Sequence, residues 1–254
     1  MAVYLISDVH GALGALRRLL NKIEFRHDGR DELYLIGDYG DWGSKSIETF
    51  LFCMELSESP HVHCLMGNHD AMFLEHLEKN RGEENITWLK MNMGSKTWEG
   101  YKKLNDTRKA SVEKWLKSLK HSAEISLNGE LYMAAHAYPY FGNRGNLGEI
   151  YSEYSAEWKR MRWNTDPFLH YHGRKKYRAL ICGHTITEHY REQAAIKDKY
   201  GHNAIFFGPR FIDIDCGAKC FEYSHIWKRE AARARLAALR LDDIKEFYVN
   251  SNRG

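Results

Sequence analysis

One pattern, repeated three times in the first eighty residues, constrains the fold of this chain more than any other feature. Val3-Tyr4-Leu5-Ile6 is a short apolar run that stops at Ser7-Asp8-Val9-His10-Gly11, and helical spacing follows through Leu13, Leu16, Leu19, Leu20 and Ile23. The succession recurs at Leu33-Tyr34-Leu35-Ile36 with Gly37-Asp38 and a helix expected over 46–58. It recurs again at Val62-His63-Cys64-Leu65-Met66 with Gly67-Asn68-His69-Asp70, then Met72, Leu74 and Leu77 at helical spacing. Strand, polar turn and helix in this order form a βα unit, and three of them feed a largely parallel sheet. Ligands of such sheets collect beyond the carboxyl ends of the strands, where the polar residues stand each time.

Further strands are expected at Glu130–Ala135, ending at His136, and at Ala179–Cys182, ending at Gly183-His184-Thr185. A strand over 211–215 turns at Gly217. Helices are expected over 108–120, 151–162 and 228–241, with short helix and loop over 80–105 and a loop over 138–148. No Pro/Gly/Ser-rich linker divides the 254 residues. The expectation is therefore one domain, 1–254, with a capping insertion at about 140–178 and a C-terminal helix at about 228–241 packed on it.

Composition narrows the function classes. Hydrophobic residues are 43% and charged residues 28%, as in folded soluble proteins. Lys plus Arg is 37 and Asp plus Glu 34, and an excess of three charges implies no specific nucleic-acid partner. Arg174-Lys175-Lys176 and the group Lys228, Arg229, Arg233, Arg235 and Arg240 are local basic clusters, read as solvated faces or as a guide for a phosphate-rich ligand. The five cysteines form no CxxC and no even framework, so a reducing, cytoplasmic setting is expected. The opening residues run as a strand into charged chemistry rather than as a signal peptide. No stretch approaches the roughly 18 to 20 apolar residues that span a bilayer, so no membrane partner is expected.

The strand-end residues Asp8, His10, Asp38, Asn68, His136 and His184 are the candidate metal ligands. Two divalent ions held ~3.5–4 Å apart need oxygen and nitrogen donors around each and one bridging carboxylate. Asp8 and His10 can face one ion, Asp38 can bridge, and Asn68, His136 and His184 can complete the second. The expected cofactors are two divalent transition-metal ions, manganese first, with iron, zinc or cobalt as alternatives. A thiolate-free O/N set suits these better than a structural zinc site.

Taken in order, Asp8-Val9-His10-Gly11, Gly37-Asp38-Tyr39-Gly40-Asp41, Gly67-Asn68-His69-Asp70, His136-Ala137-Tyr138-Pro139 and Gly183-His184-Thr185 resemble the motifs of the calcineurin-like metallophosphoesterases. The late Ile214-Asp215-Cys216-Gly217-Ala218 is a further match. Within that superfamily the chain looks closest to the bacterial and phage branch of the Ser/Thr phosphoprotein phosphatases. The resemblance implies an α/β fold, the four-layer α/β/β/α sandwich. It implies Asp8, His10 and Asp38 on one metal, and Asp38, Asn68, His136 and His184 on the other. It also implies that His69 binds phosphate oxygen and protonates the leaving group, with Asp41 as its acidic partner. The activity implied is metal-dependent hydrolysis of phosphomonoesters, on a phosphorylated protein or a small phosphoester. The alternative is a phosphodiester or dinucleoside polyphosphate, and a non-catalytic metal-bound module comes third, since every ligand and the acid are retained.

Two departures from the family pattern stand out. Asp70 replaces a glutamate, and Asp41-Trp42-Gly43 replaces Asp-Arg-Gly, which removes a guanidinium able to grip phosphoryl oxygens in bidentate fashion. Arg162, beside Trp163, is the closest local match to a second substrate-binding arginine of the family, followed by Arg160 and by Arg144; otherwise these are surface arginines. Trp42 is either a packing residue or an aromatic wall for a base, which Tyr39 and Tyr138 would extend.

Overall fold

A computed structural model describes residues 1–26, 28–78, 87–137, 176–190, 200–208 and 210–251. The three βα units take the expected form: β1 (Ala2–Ile6), α1 (Leu13–Lys22), β2 (Asp31–Leu35), α2 (Ser46–Leu56), β3 (Val62–Cys64) and α3 (Asn68–Glu78). A π-helical turn at Thr87–Met91 leads into α4 (Ser95–Lys102) and α5 (Asp106–Ser118). There follow β4 (Ser122–Leu127), β5 (Glu130–Ala135), β6 (Leu180–Cys182), β7 (Phe206–Phe207) and β8 (Phe211–Asp213). The chain closes with α6 (Lys228–Arg233), β9 (Arg235–Arg240) and β10 (Lys245–Asn250).

Two mixed five-stranded sheets result, one ordered β10-β9-β1-β2-β3 and the other β4-β5-β6-β8-β7. They are flanked by helices, as the sandwich reading requires. β1, β2 and β3 are parallel neighbours, with Tyr4 opposite Leu33 and Leu35 opposite Cys64. In the second sheet β5, β6 and β8 are parallel. Val3, Leu5 and Ile36 belong to the core between the sheets with Ile125, Ala134, Ile181 and Ile212. Tyr4, Ile6, Leu33 and Leu35 belong to the core with Leu16 and Leu19 of α1 and Phe50 and Cys53 of α2. Alternate side chains of β1 thus enter different cores, which is why its sequence is a continuous apolar run rather than an alternating one. Cys53 and Cys182 are buried, Cys64 is half-buried, and all five cysteines are free thiols.

The C-terminal expectation is corrected. The helix ends at Arg233, Ala234 is extended (φ −62°, ψ 140°), and β9 enters the first sheet between β10 and β1. Leu236 and Ala238 pack into the helix-side core, whereas Ala237 and Leu239 pack into the inter-sheet core. Alanine, leucine and arginine are strong helix formers, but a strand buried on both faces shows no period-2 signature, and pairing with β1 overrides propensity. The capping insertion at about 140–178 and the helix over 151–162 lie essentially outside the described residues.

Among the described residues no helix is long and apolar enough to cross a membrane.

Candidate dinuclear metal centre

The site forms where the carboxyl ends of parallel strands from both sheets meet. Past β1 come Asp8 and His10, past β2 Asp38 and Asp41; Asn68 and His69 open α3 after β3, and His136 and His184 follow β5 and β6. The backbone there is unusual. Of the ten non-glycine residues with positive φ among the described residues, six are Asp8, His10, Asp38, Asp41, Trp42 and His184. Side-chain-bearing residues seldom adopt that region, and strain of this kind concentrates at functional sites. Two glycines let the loops close onto the carboxylates: a Cβ at Gly183 would lie 2.0 Å from Asp8 Oδ2, and one at Gly67 2.1 Å from Asp38 Oδ1.

Asp38 is the hub. Its Oδ2 lies 3.5 Å from His10 Nε2 and 3.3 Å from His136 Nε2, while Oδ1 accepts the His69 N–H at 2.9 Å. Asn68 Oδ1 is 2.9 Å from both His136 Nε2 and His184 Nδ1. Two groups of potential ligands share Asp38: His10, Asp38 and His69, and Asp38, His136 and His184. Two overlapping clusters on one carboxylate are the arrangement of a dinuclear metal-binding catalytic site.

The donors fit cations. His10 Nδ1 donates to Gly40 O at 3.0 Å and His136 Nδ1 to Ile36 O at 2.9 Å, so each ring is oriented with Nε2 toward Asp38. Asp8 Oδ2 accepts from Ser7 Oγ and from the His184 N–H, whereas Asp8 Oδ1 is buried with no hydrogen-bond partner. A buried carboxylate oxygen with free lone pairs beside His10 Nε2 at 3.7 Å is a position for a metal ion. The electrostatics agree. Burial opposes charge at Asp38, yet His136 and His69 hold its carboxyl well below the usual range. Burial likewise opposes charge on His136, but Asp38 and Asp8 outweigh it and push its pKa up to about 10. His184 goes the other way, to about 3, through burial and the neighbouring charge of His136. Closely spaced buried carboxylates create a demand for positive charge that oxygen–nitrogen cages satisfy with divalent ions.

His69 is held differently from the other imidazoles. Its Nδ1 is 2.6 Å from Asp41 Oδ2, so Nε2 is the nitrogen left for chemistry. Asp41 is itself fixed by Trp88 Nε1 at 2.8 Å and Thr97 Oγ1 at 2.5 Å, and its backbone N–H donates to Thr97 Oγ1 at 2.9 Å. Sequence reasoning assigned Trp88 and Thr97 no role. The structure shows the segment built around the Trp88 indole: a Cβ at Gly94 would lie 2.2 Å from that ring. Trp88 stacks on Phe73 (5.4 Å, 18°), a contact that phenylalanine can keep. Trp88→Phe is therefore expected to retain metal and lower turnover by about tenfold through a loosened Asp41. Unchanged turnover in a steady-state assay would remove Trp88 from this chain of support.

The shorter acid at position 70 also has a clear use. Asp70 accepts from the backbone N–H groups of Asp38 (2.8 Å), Tyr39 (3.0 Å) and Gly67 (2.7 Å), buckling the second and third strand-end loops together. Burial and the Asp38 charge push its pKa up to about 7 against those three donors.

Trp42 is half-buried, and its ring packs against Tyr223 (5.4 Å), Trp227 (5.2 Å) and His10 (6.5 Å). Tyr39 is no part of that wall. It is fully buried, and its hydroxyl donates within the core to Leu65 O at 2.6 Å. Tyr138, Arg144, Arg160 and Arg162 lie outside the described residues. In the C-terminal basic cluster Lys228 and Arg229 are exposed, whereas the other three are engaged within the fold. Arg233 pairs with Glu188, Arg240 with Asp243, and Arg235 is buried against Asn203 O.

The calcineurin-like phosphoesterase family model matches residues 1–188. A curated relative, the symmetrical bis(5'-nucleosyl)-tetraphosphatase of Escherichia coli, is 29% identical over 187 residues, which cover 66% of this chain and 64% of that protein. The match thus spans a little under two thirds of the relative's length. By structure the chain is similar to a provisionally assigned diadenosine tetraphosphatase (18% identity, 100% of this chain and 95% of the other, TM-score 0.60). It is equally similar to the cold-active protein-tyrosine phosphatase of a psychrophilic Shewanella (17%, 98% and 80%, TM-score 0.60). At those identities the two structures support the fold alone. The expected placement beside the Ser/Thr phosphoprotein phosphatases is overturned by the sequence relatives, which are symmetrical bis(5'-nucleosyl)-tetraphosphatases. With the family model covering most of its length and a shared-carboxylate metal centre at its strand ends, the chain belongs to the calcineurin-like phosphoesterases.

Proposed function

We propose that this metal-dependent phosphoesterase hydrolyses a phosphoanhydride bond in the bridge of a dinucleoside polyphosphate, rather than a phosphomonoester. The observation that carries the reading is Trp42, standing beside His10 with Tyr223 and Trp227. Its indole Nε1 is buried without a hydrogen-bond partner among the described residues, and its φ is +36°. An unsatisfied buried donor costs about 1–3 kcal/mol, so packing alone is a poor reason for tryptophan here. An aromatic face beside a phosphoryl site suits stacking on a nucleobase. An internal phosphoryl group has two non-bridging oxygens where a terminal one has three, so two cations can cover it without a guanidinium at position 42. The tetraphosphatase relative supports the same substrate class.

In this reading Asp8, His10 and Asp38 hold one ion and Asp38, Asn68, His136 and His184 the other. When bound, the two ions supply Lewis-acid charge to the phosphoryl oxygens and activate water. The protein's own part is orientation. Gly40 O and Ile36 O set the tautomers of His10 and His136, and Asp41 holds His69 with Nε2 free to bind phosphoryl oxygen and deliver a proton to the leaving oxygen. Asp8 is preferred to His69 as the third ligand of the first ion, because its Oδ1 has no hydrogen-bond partner among the described residues.

The test compares kcat/KM for diadenosine tetraphosphate, bis-nitrophenyl phosphate, and phosphoserine and phosphotyrosine peptides on one metal-loaded preparation. Diadenosine tetraphosphate is expected to lead by at least ~10-fold, with two nucleoside diphosphates as products if cleavage is symmetrical. A phosphopeptide at the head of that ranking would overturn the proposal.

A further inference from the structure

The strand-end loop after β8 carries a cation that no part of the foregoing uses. Asp215 Oδ1 accepts the Gly217 N–H at 2.8 Å, and Gly217 takes φ +88°, turning the chain into a short helical turn at Ala218–Cys220. Lys219 projects from that turn and is half-buried. Its Nζ lies 5.8 Å from the centre of the Trp42 ring.

A second lysine flanks the same aromatic group, and the contrast is informative. Lys96 Nζ sits 5.0 Å from the Tyr223 ring centre, but it is committed to Trp42 O at 2.6 Å and to Glu222 at 3.3 Å. Lys219 has no carboxylate partner among the described residues. The Trp42 ring that it faces stands 6.5 Å from the His10 ring, so the ammonium lies at the edge of the ligand clusters. Asp215 feels the charge of Lys219 but makes no ion pair with it, so a half-buried ammonium beside a phosphoryl site is left able to take an anion.

We propose that Lys219 is a substrate-binding residue that grips a phosphate of the polyphosphate bridge next to the one being cleaved, with its stem laid beside Trp42. The proposal extends the phosphoanhydride reading but needs only that the site takes phosphoryl groups. A lysine suits this task as a mobile point charge, since a flanking phosphate demands charge more than a fixed bidentate geometry. The step involves no bond making by Lys219. Its ammonium stays protonated and pairs with a non-bridging oxygen before and after water adds at phosphorus and the diphosphate leaves.

The experiment uses metal-loaded wild type, Lys219→Met and Lys219→Arg. Metal content, KM and kcat for diadenosine tetraphosphate and for nitrophenyl phosphate, and inhibition by inorganic phosphate are measured on each. Lys219→Met is expected to keep its metals, raise KM for the tetraphosphate by ~10–100-fold and weaken phosphate inhibition, while Lys219→Arg recovers most of the loss. Raising salt should increase the wild-type KM more than that of Lys219→Met. KM and phosphate inhibition unchanged in Lys219→Met would overturn the proposal, as would a loss traced to missing metal, which would make the residue structural. If diadenosine tetraphosphate proves not to be a substrate, the substrate reading fails, and Lys219 is still judged by phosphate inhibition and by KM for nitrophenyl phosphate.

Discussion

Asp38→Asn is expected to leave the protein folded but with at least one metal equivalent fewer, and to lower turnover by ~10³-fold or more. The expectation follows from one oxygen. Asp38 Oδ2 is the atom approached by His10 Nε2 at 3.5 Å and by His136 Nε2 at 3.3 Å, so it belongs to both ligand groups. An amide offers one acceptor instead of two and no charge, and it turns an N–H₂ toward either a metal or a backbone donor. The backbone N–H of His69 still needs the acceptor that Oδ1 provides at 2.9 Å, which favours the rotamer that faces the amide nitrogen toward the imidazoles. Metal analysis of the purified variant beside wild type decides the matter. Two equivalents bound with near-normal turnover would show that the clusters do not depend on a shared carboxylate.

His69→Asn is the second large effect, with a different signature. Metals should remain, because His10 and Asp38 keep their own partners and the His69 backbone N–H bond is unaffected by the side chain. Turnover of alkyl phosphate esters, whose leaving oxygen needs a proton, should fall by ~10²–10⁴-fold. Nitrophenyl esters should lose less, since nitrophenolate leaves without one. A nucleoside diphosphate is as weak a base as nitrophenolate and also leaves without a proton, so diadenosine tetraphosphate should lose about as little as the nitrophenyl esters. Equal losses on all three classes would mean that His69 shapes the site rather than transferring a proton. Asp41 makes the pattern interpretable: its 2.6 Å contact to Nδ1 sets which nitrogen can act, and Trp88 and Thr97 hold that carboxylate in place.

Much of this site was legible in the sequence because local rules govern it. An apolar run ending in a polar turn ends a strand, and parallel strands gather their ends, so Asp8, His10, Asp38, Asn68, His136 and His184 declared a common location before any coordinates. What local rules cannot carry is pairing across long separations. β9 has helix-forming residues and becomes a strand because β1 and β10 supply its hydrogen bonds and two cores receive its alternate side chains. The bond of Trp88 to Asp41 spans 47 residues and that of Thr97 spans 56, through a stretch whose glycines and aromatics read only as irregular. Lys219 stands some 180 positions from Trp42, and only the folded chain sets its ammonium above that ring. The branch of the family was beyond the motifs for a related reason. The metal cage answers to phosphorus chemistry, which phosphatases of many substrates share, whereas substrate choice rests on what surrounds the cage. Local sequence pattern alone singled out the candidate ligands and the strand ends that bear them. The tertiary structure decided which tautomers those ligands hold, which carboxylate oxygen they share and which distant side chains stand over the site, because these depend on contacts that form only when the two sheets pack.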